Sequence, residues 1–266
     1  MIRKLKRKIR GKTIKIAAAL VLAVFLLPNF VFAEKVGWVT DIHAGHAKKK
    51  RKSETNIFYP RKYKKYFEKV SRELRDEGIE TLILSGDITD YGHDFRRAKI
   101  VRKIARKQGL KIILAQGNHD DRKTMKTFNG QKKTYFYVDR YDYRIIVLDS
   151  NERAAVRSGG IKDKQFDWLE DVLERTRKPT VIVMHHPIFD SETKEIYGHY
   201  KGFEQLISSS KEVKMVISGH WHFEWFNSYN GIKYAVGNPL TLENKMGSYY
   251  IINLDNLEIE SRYARI

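Results

Sequence analysis

The stretch "IILAQGNHDD", Ile112 to Asp121, runs from an apolar segment straight into amide, imidazole and carboxylate groups. Its first half is β-branched and continuous, as a strand covered on both faces is. Its second half sets Gln116, Asn118, His119, Asp120 and Asp121 at the rim of a core. Each polar group there must be hydrogen bonded or solvated, and a fold requires none of them. The end of this strand therefore reads as a carrier of chemistry.

Similar runs recur on either side: "KVGWVT", "TLILSG", "RIIVLD", "TVIVMH" and "VKMVIS". Segments of helical period lie between most of them. Tyr63, Tyr66, Phe67, Val70 and Leu74 share one face, as do Ala98, Val101, Ile104 and Ala105, and again Phe166, Leu169, Val172 and Leu173. The Tyr-rich "YFYVDRYDYR" alternates and predicts a hairpin. After residue 223 short strands with turn signals and no helix predict a closing set of largely antiparallel strands. The class is α/β, and in such sheets ligands collect beyond the carboxyl ends of the strands. Five strand ends fit this rule: Asp41-Ile42-His43, Gly86-Asp87, Gly117-Asn118-His119-Asp120, His185-His186-Pro187 and Gly219-His220-Trp221-His222.

Singly, each of these is weak, since a lone strand-end histidine is more often a satisfied rim residue than a ligand. Together, two Asp, one Asn and four His without any thiolate suit borderline divalent metals better than calcium or a structural zinc. Seven candidates are too many for one tetrahedral ion, so two ions are expected, with one carboxylate bridging them. Neutral Asn118, where a third carboxylate could stand, keeps the centre positive enough to bind a phosphate ester. His119 is then placed to protonate a leaving oxygen, with Asp120 expected to raise its pKa and fix its orientation. Asp120 could also cap the helix predicted over "DRKTMKTF".

Asp-x-His, Gly-Asp, Gly-Asn-His-Asp, a histidine and Gly-His-x-His, in this order, resemble the calcineurin-like metallophosphoesterases over residues 35 to 240. "LDS" (Leu148 to Ser150) and "QFDWLEDVL" belong to the same resemblance. "SGDITDYG" and "GNHD" are most similar to the class III cyclic-nucleotide phosphodiesterase branch. The resemblance implies a four-layer αββα sandwich, two central mixed sheets flanked by helices, and a dinuclear site of divalent or trivalent Mn, Fe or Zn. It places one ion on Asp41, His43, Asp87 and His222, the other on Asp87, Asn118, His185 and His220, and makes His119 the general acid. The implied activity is hydrolysis of a small phosphate ester, a phosphodiester such as a nucleotide before others, by a hydroxide held between the ions. A phosphomonoesterase or a nuclease would use the same ligands. A non-catalytic scaffold is the remote reading, because the ligands and the acid are all present.

Neighbouring residues carry alternatives. His186 is expected to support the turn before Pro187 and not to bind metal. His93 and His199 lie in loops near the expected site mouth, Trp221 shields the metals or packs, and His46 with Lys48 to Lys52 steers anions or is merely solvated.

The chain has 266 residues, 42% of them hydrophobic, enough for one large core. It has no cysteine, which excludes disulfides and thiolate metal sites, and no Asn-x-Ser/Thr acceptor. Residues 1–33 read as an export signal: "MIRKLKRKIRGKTIK" is basic throughout, an 18-residue charge-free run follows, and Val31 and Ala33 suit a cleavage site. An uncleaved membrane anchor is the rival reading. The expectation is an exported domain of residues 34–266, reaching a membrane only through residues 1–33 if these are kept. Without their eight cations the chain keeps 43 basic against 32 acidic residues. That balance favours phosphate-bearing partners, nucleic acid being compatible but not required.

Overall fold

The apolar runs fold as strands and the amphipathic segments as helices. In this computed structural model the described residues are 34–46, 51–52, 57–91, 94–129, 133–151 and 158–266. Residues 34–266 pack as one unit. The elements up to the first sheet's edge are β1 (Lys35–Val39), β2 (Arg51–Lys52), β3 (Ile57–Phe58), α1 (Tyr63–Asp76), β4 (Thr81–Leu84), α2 (Phe95–Lys107), β5 (Lys111–Leu114) and α3 (Arg122–Asn129). Then come β6 (Phe136–Arg140), β7 (Tyr143–Val147), α4 (Asp163–Arg175), β8 (Thr180–Val183), α5 (Lys201–Ser209) and β9 (Val213–Ser218). The chain closes with β10 (Trp225–Tyr229), β11 (Ile232–Val236), β12 (Thr241–Leu242), β13 (Lys245–Met246), β14 (Ser248–Asn253) and β15 (Glu258–Tyr263). No helix among the described residues is long and apolar enough to cross a membrane.

Two mixed sheets form the centre. One has the order β15-β14-β1-β4-β5, parallel across β1, β4 and β5 and antiparallel at β14 and β15. The other has the order β10-β11-β9-β8-β7-β6, with antiparallel strands at both edges. A small antiparallel sheet, β13-β12-β3-β2, lies apart from both.

Alternation along the strands sorts their side chains into layers. Val36, Trp38, Ile83, Ile113, Val147, Val183 and Ile217 join one buried cluster drawn from both sheets. Their neighbours Val39, Leu82, Leu84 and Leu114 pack instead with Phe67, Val70, Leu74, Val101 and Ala105 of α1 and α2. Ile146, Ile182 and Val216 pack with Leu169, Leu173, Phe203 and Ile207 of α4 and α5. Helices, sheet, sheet and helices thus form the expected four layers, and the continuous apolar strands are those covered on both faces.

The hairpin is present as β6 and β7, turning at Tyr141 in a left-handed backbone (φ 53°). The strands after residue 223 do not form one closing set. β10 and β11 extend the second sheet, with β11 parallel to β9, while β14 and β15 extend the first. Local alternation fixes a hairpin but not the sheet it joins, which depends on partners far away in sequence.

Candidate metal centre

The strand ends turn abruptly. Asp41, His43, Asp87, His220 and His222 all have left-handed backbones, with φ of 48°, 43°, 51°, 71° and 60°. Each such non-glycine residue costs on the order of 1–3 kcal/mol and persists only where its surroundings hold it. Here the Asp41 N–H donates to Gly86 O at 3.1 Å and the His43 N–H to Asp87 O at 2.9 Å. The His220 N–H donates to the Asp41 carboxylate at 3.0 Å. Glycines beside the turns leave room for this crossing. A Cβ on Gly117 would sit 2.1 Å from the Asp87 nitrogen, and one on Gly219 would sit 2.0 Å from Thr40 Oγ1.

Two groups of ligand-capable atoms result. In the first, His43 Nε2 lies 3.0 Å from His222 Nε2 and 3.5 Å from Asp87 Oδ2, and His222 Nε2 lies 3.2 Å from Asp41 Oδ1. In the second, Asn118 Oδ1 lies 3.1 Å from His185 Nε2 and 3.0 Å from His220 Nδ1, and His185 Nε2 lies 3.3 Å from Asp87 Oδ2. Atoms bound at about 2.1 Å to a shared ion stand roughly 3.0–3.4 Å apart at octahedral or tetrahedral angles. The second group matches that spacing, and the first is slightly wider, His43 Nε2 standing 3.5 Å from Asp87 Oδ2 and 3.7 Å from Asp41 Oδ1. Asp87 Oδ2 belongs to both, as a bridging carboxylate must. The structure brings all seven expected ligands together, and Asp41, His43, Asp87 and His222 are buried. Their donor set of imidazole, carboxylate and amide fits a pair of borderline metal ions.

Charge is already distributed for cations. The Asp41 and Asp87 carboxyls are held well below their usual range: burial pushes them up, but the surrounding imidazoles outweigh it. His185 shows the reciprocal effect, since burial lowers it but the carboxylates of Asp87 and Asp41 carry it up to about 9. Burial, and then His185, push His220 down to about 4. Burial lowers His43 as well. With no lysine or arginine within 4 Å among the described residues, the two carboxylates have only imidazoles to balance them.

His119 stands at the edge of the first group, its ring 4.9 Å from that of His43 and nearly perpendicular to it. Its N–H donates to Asp87 Oδ1 at 2.8 Å, and its Nδ1 pairs with the backbone oxygen of Asp90 at 2.8 Å. The expected pairing with Asp120 is absent. The Asp120 carboxylate accepts instead from the backbone N–H groups of Ile88, Thr89 and Gly117, at 3.0, 3.2 and 3.1 Å. These donors lie on the loop that carries Asp87 and on its own turn, so Asp120 ties the two loops together. Burial, and then the Asp87 charge, push its carboxyl up to about 7. Nor does Asp120 cap α3. That role falls to Asp121, whose Oδ1 accepts from the Thr124 N–H at 2.7 Å.

Two residues at the site went unnoticed in the sequence. Asp90, fully buried, has Oδ1 3.7 Å from His43 Nδ1 as well as its carbonyl on His119. Its position in "SGDITDYG", three residues past Asp87, was the available signal. Phe58 of β3 packs its ring 4.6 Å from His43 and 5.0 Å from His222, and only the fold reveals it.

Ligand-capable atoms of His186 lie within 4.8 Å of those of His185 and His220, and those of Asp90 and His119 lie as close to His43. His186 Nδ1 pairs with Ser150 Oγ at 2.8 Å, which anchors the turn to "LDS", although its ring also lies 4.4 Å from that of His220. Trp221 packs in the core against Phe223 and Trp225. His199 is exposed and stacks on Tyr197, and His46 is exposed beside Arg97. His93 and Lys48–Lys50 lie outside the described residues, as do residues 1–33.

The family model described as calcineurin-like phosphoesterase matches residues 34–224. A Rhodococcus erythropolis protein named "Probable cyclic nucleotide phosphodiesterase" is 32% identical over 59% of this chain, and the match spans 56% of that relative, little more than half its length. A cAMP/cGMP dual specificity phosphodiesterase of Mycobacterium tuberculosis is 24% identical over 62% of this chain and 56% of its own. A solved dimetal phosphatase from Danio rerio superposes with a TM-score of 0.68 over 88% of this chain and 99% of its own at 14% identity, which is a likeness of fold. The chain belongs to the calcineurin-like phosphoesterase family.

Proposed function

We propose that the protein is a metal-dependent phosphodiesterase acting on small nucleotide-like phosphodiesters at the centre built by Asp41, His43, Asp87, Asn118, His185, His220 and His222. The observation that carries this reading is the shared carboxylate oxygen, Asp87 Oδ2, set 3.5 Å from His43 Nε2 and 3.3 Å from His185 Nε2. The names of the relatives support a cyclic nucleotide as the first substrate to try.

Bound ions would supply a Lewis acid that activates water and neutralises phosphate charge. Asp87 would hold both ions, and its Oδ1 is engaged by the backbone N–H of His119. Asn118 contributes a neutral oxygen between His185 and His220, so the ligand set carries only two carboxylates. His119 is the general acid. With Nδ1–H donating to the Asp90 carbonyl, the proton available for transfer sits on Nε2. As the bond from phosphorus to the leaving oxygen breaks, that oxygen takes the Nε2 proton and departs as an alcohol. Phe58, Thr89 and the β3 segment wall this side of the centre.

The composition of residues 1–33 supports export of the mature domain, which N-terminal sequencing of the protein recovered from fractionated cells would test. The activity is tested with metal-reconstituted protein on a panel of cyclic nucleotides, a nitrophenyl diester and a nitrophenyl monoester. Faster turnover of the diesters supports the reading. Exclusive turnover of the monoester would replace it with a phosphatase.

A further inference from the structure

We infer that the groove between α2 and α3 binds a linear phosphate polymer through its phosphates, at a surface distinct from the metal centre. The groove encloses about 610 Å³ and is lined by Lys99, Arg102, Lys103, Arg106 and Lys107 of α2, by Lys126 of α3, and besides these by Thr127 alone. Helix α2 contains no acidic residue, and its other face is buried through Ala98, Val101, Ile104 and Ala105. Its cations therefore share the solvent side. Among the described residues, none of the six has a carboxylate within 4 Å. This is unlike Arg97, two residues before Lys99, which pairs with Asp94.

Cations at a helix C-terminus complement the macrodipole, which accounts for Arg106 and Lys107 in the last turn. It does not account for Lys99, Arg102 and Lys103, or for Lys126 on the facing helix. Six like charges around one concavity repel one another, and an anion in the groove relieves that repulsion. Lys99 to Lys107 extend over about 12 Å of helix, more than a single phosphate can occupy. No aromatic side chain lines the groove, so bases would not be stacked and recognition would be of the backbone alone. An anionic bilayer fits less well. Surface helices that dock on lipid insert an apolar face, whereas the apolar face of α2 is in the core, and near its cations stand Ile100, 37% exposed, and half-buried Phe95, whose ring centroid lies 4.4 Å from Lys99 Nζ.

The test is salt-dependent binding of a fluorescent oligothymidylate to the full chain, with chelator present so that hydrolysis does not enter the readout. This makes the outcome independent of the phosphodiesterase reading. The variant Lys103→Glu/Arg106→Glu/Lys126→Glu is compared with Lys164→Glu/Lys211→Glu/Lys214→Glu, which changes net charge equally at the start of α4 and around the start of β9, away from the groove. Single strands lose about 0.7 in the log–log salt slope per phosphate contact. The groove variant should bind at least about tenfold more weakly with a slope shallower by roughly two, while the control stays within about twofold of the parent. Inorganic polyphosphate should compete. A milder Arg106→Gln/Lys126→Gln variant, with a slope shallower by about one, guards against loss of fold in the first. Equal weakening in groove and control variants would overturn the inference, as would unchanged binding in both groove variants. Binding of phosphatidylglycerol vesicles that the groove variant abolishes, without polymer binding, would assign the surface to a membrane instead.

Discussion

The backbone N–H of His119 donates to Asp87 Oδ1 at 2.8 Å, so the turn that carries His119 and the carboxylate of Asp87 are tied to each other. The other oxygen of Asp87 is left facing His43 and His185. One hydrogen bond thus couples the two residues to which the proposed chemistry gives the bridging and the proton-donating roles.

If His119 is an acid and not a ligand, His119→Gln should keep its metal content. Turnover of diesters with poor leaving groups should fall by roughly 10²–10⁴. Nitrophenyl esters, which need little protonation, should fall much less. An equal loss on both, or loss of metal, would place His119 among the ligands.

Asp120 acts through backbone donors, so its replacement should show as stability and not as altered acid chemistry. In Asp120→Asn a single carbonyl oxygen must serve the N–H groups of Ile88, Thr89 and Gly117, and the new NH₂ has to face donors. The expected cost is about 1–3 kcal/mol in denaturant unfolding. The apparent pKa of the acid limb in kcat/KM should stay where it is. A moved limb at unchanged stability would restore Asp120 as the partner of His119.

Gly117→Ala and Gly219→Ala should damage the centre while leaving every ligand residue in place, by crowding Asp87 Oδ1 at 2.1 Å and Asp41 Oδ2 at 2.3 Å. The added methyl would fall 2.1 Å from the Asp87 backbone nitrogen or 2.0 Å from Thr40 Oγ1. Overpacking of this kind costs about 1–3 kcal/mol or more. Thermal unfolding should drop in both, together with metal affinity. Retention of both properties would show that the strand ends yield more easily than their contacts suggest.

A surface pair provides a pH test away from the metals. The Asp139 carboxyl is held below its ordinary value of 3.8, first by the hydrogen bond from Arg144 and, against partial burial, by Lys178. Because the folded value is the lower one, the stabilisation is present above about pH 4 and is lost as pH falls through the folded value. Asp139→Asn should therefore lower stability near neutrality by about 0.2–1 kcal/mol, the pair being partly exposed. The difference should vanish in acid. A difference that persists below the folded value would point to packing of Arg144 over Tyr137, whose ring centroid lies 4.1 Å away.

The strands and ligand-bearing turns were legible because each polar motif follows directly on an apolar run, as at "IILAQGNHDD" and "VKMVISGHWH". That adjacency is local, and the topology then converges the strand ends. The role of Asp120 was not legible, since it depends on which N–H groups the fold presents, while the local cap fell one residue on, at Asp121. The donors to Asp120 include Ile88 and Thr89, some thirty positions away. Phe58 and the Asp90 carbonyl escaped for the same reason. The division of the last strands between two sheets escaped because each hairpin is local, while the partners that place it are distant, β9 for β11 and β1 for β14.

The most direct test of the dinuclear centre is elemental analysis of metal-reconstituted Asp87→Ala beside the parent and His43→Ala. Since Asp87 Oδ2 faces both His43 and His185, its loss should reduce occupancy at both positions, whereas His43→Ala should chiefly weaken one. The parent should bind two ions per chain. Two ions retained in Asp87→Ala would contradict the bridging role on which the proposed chemistry depends.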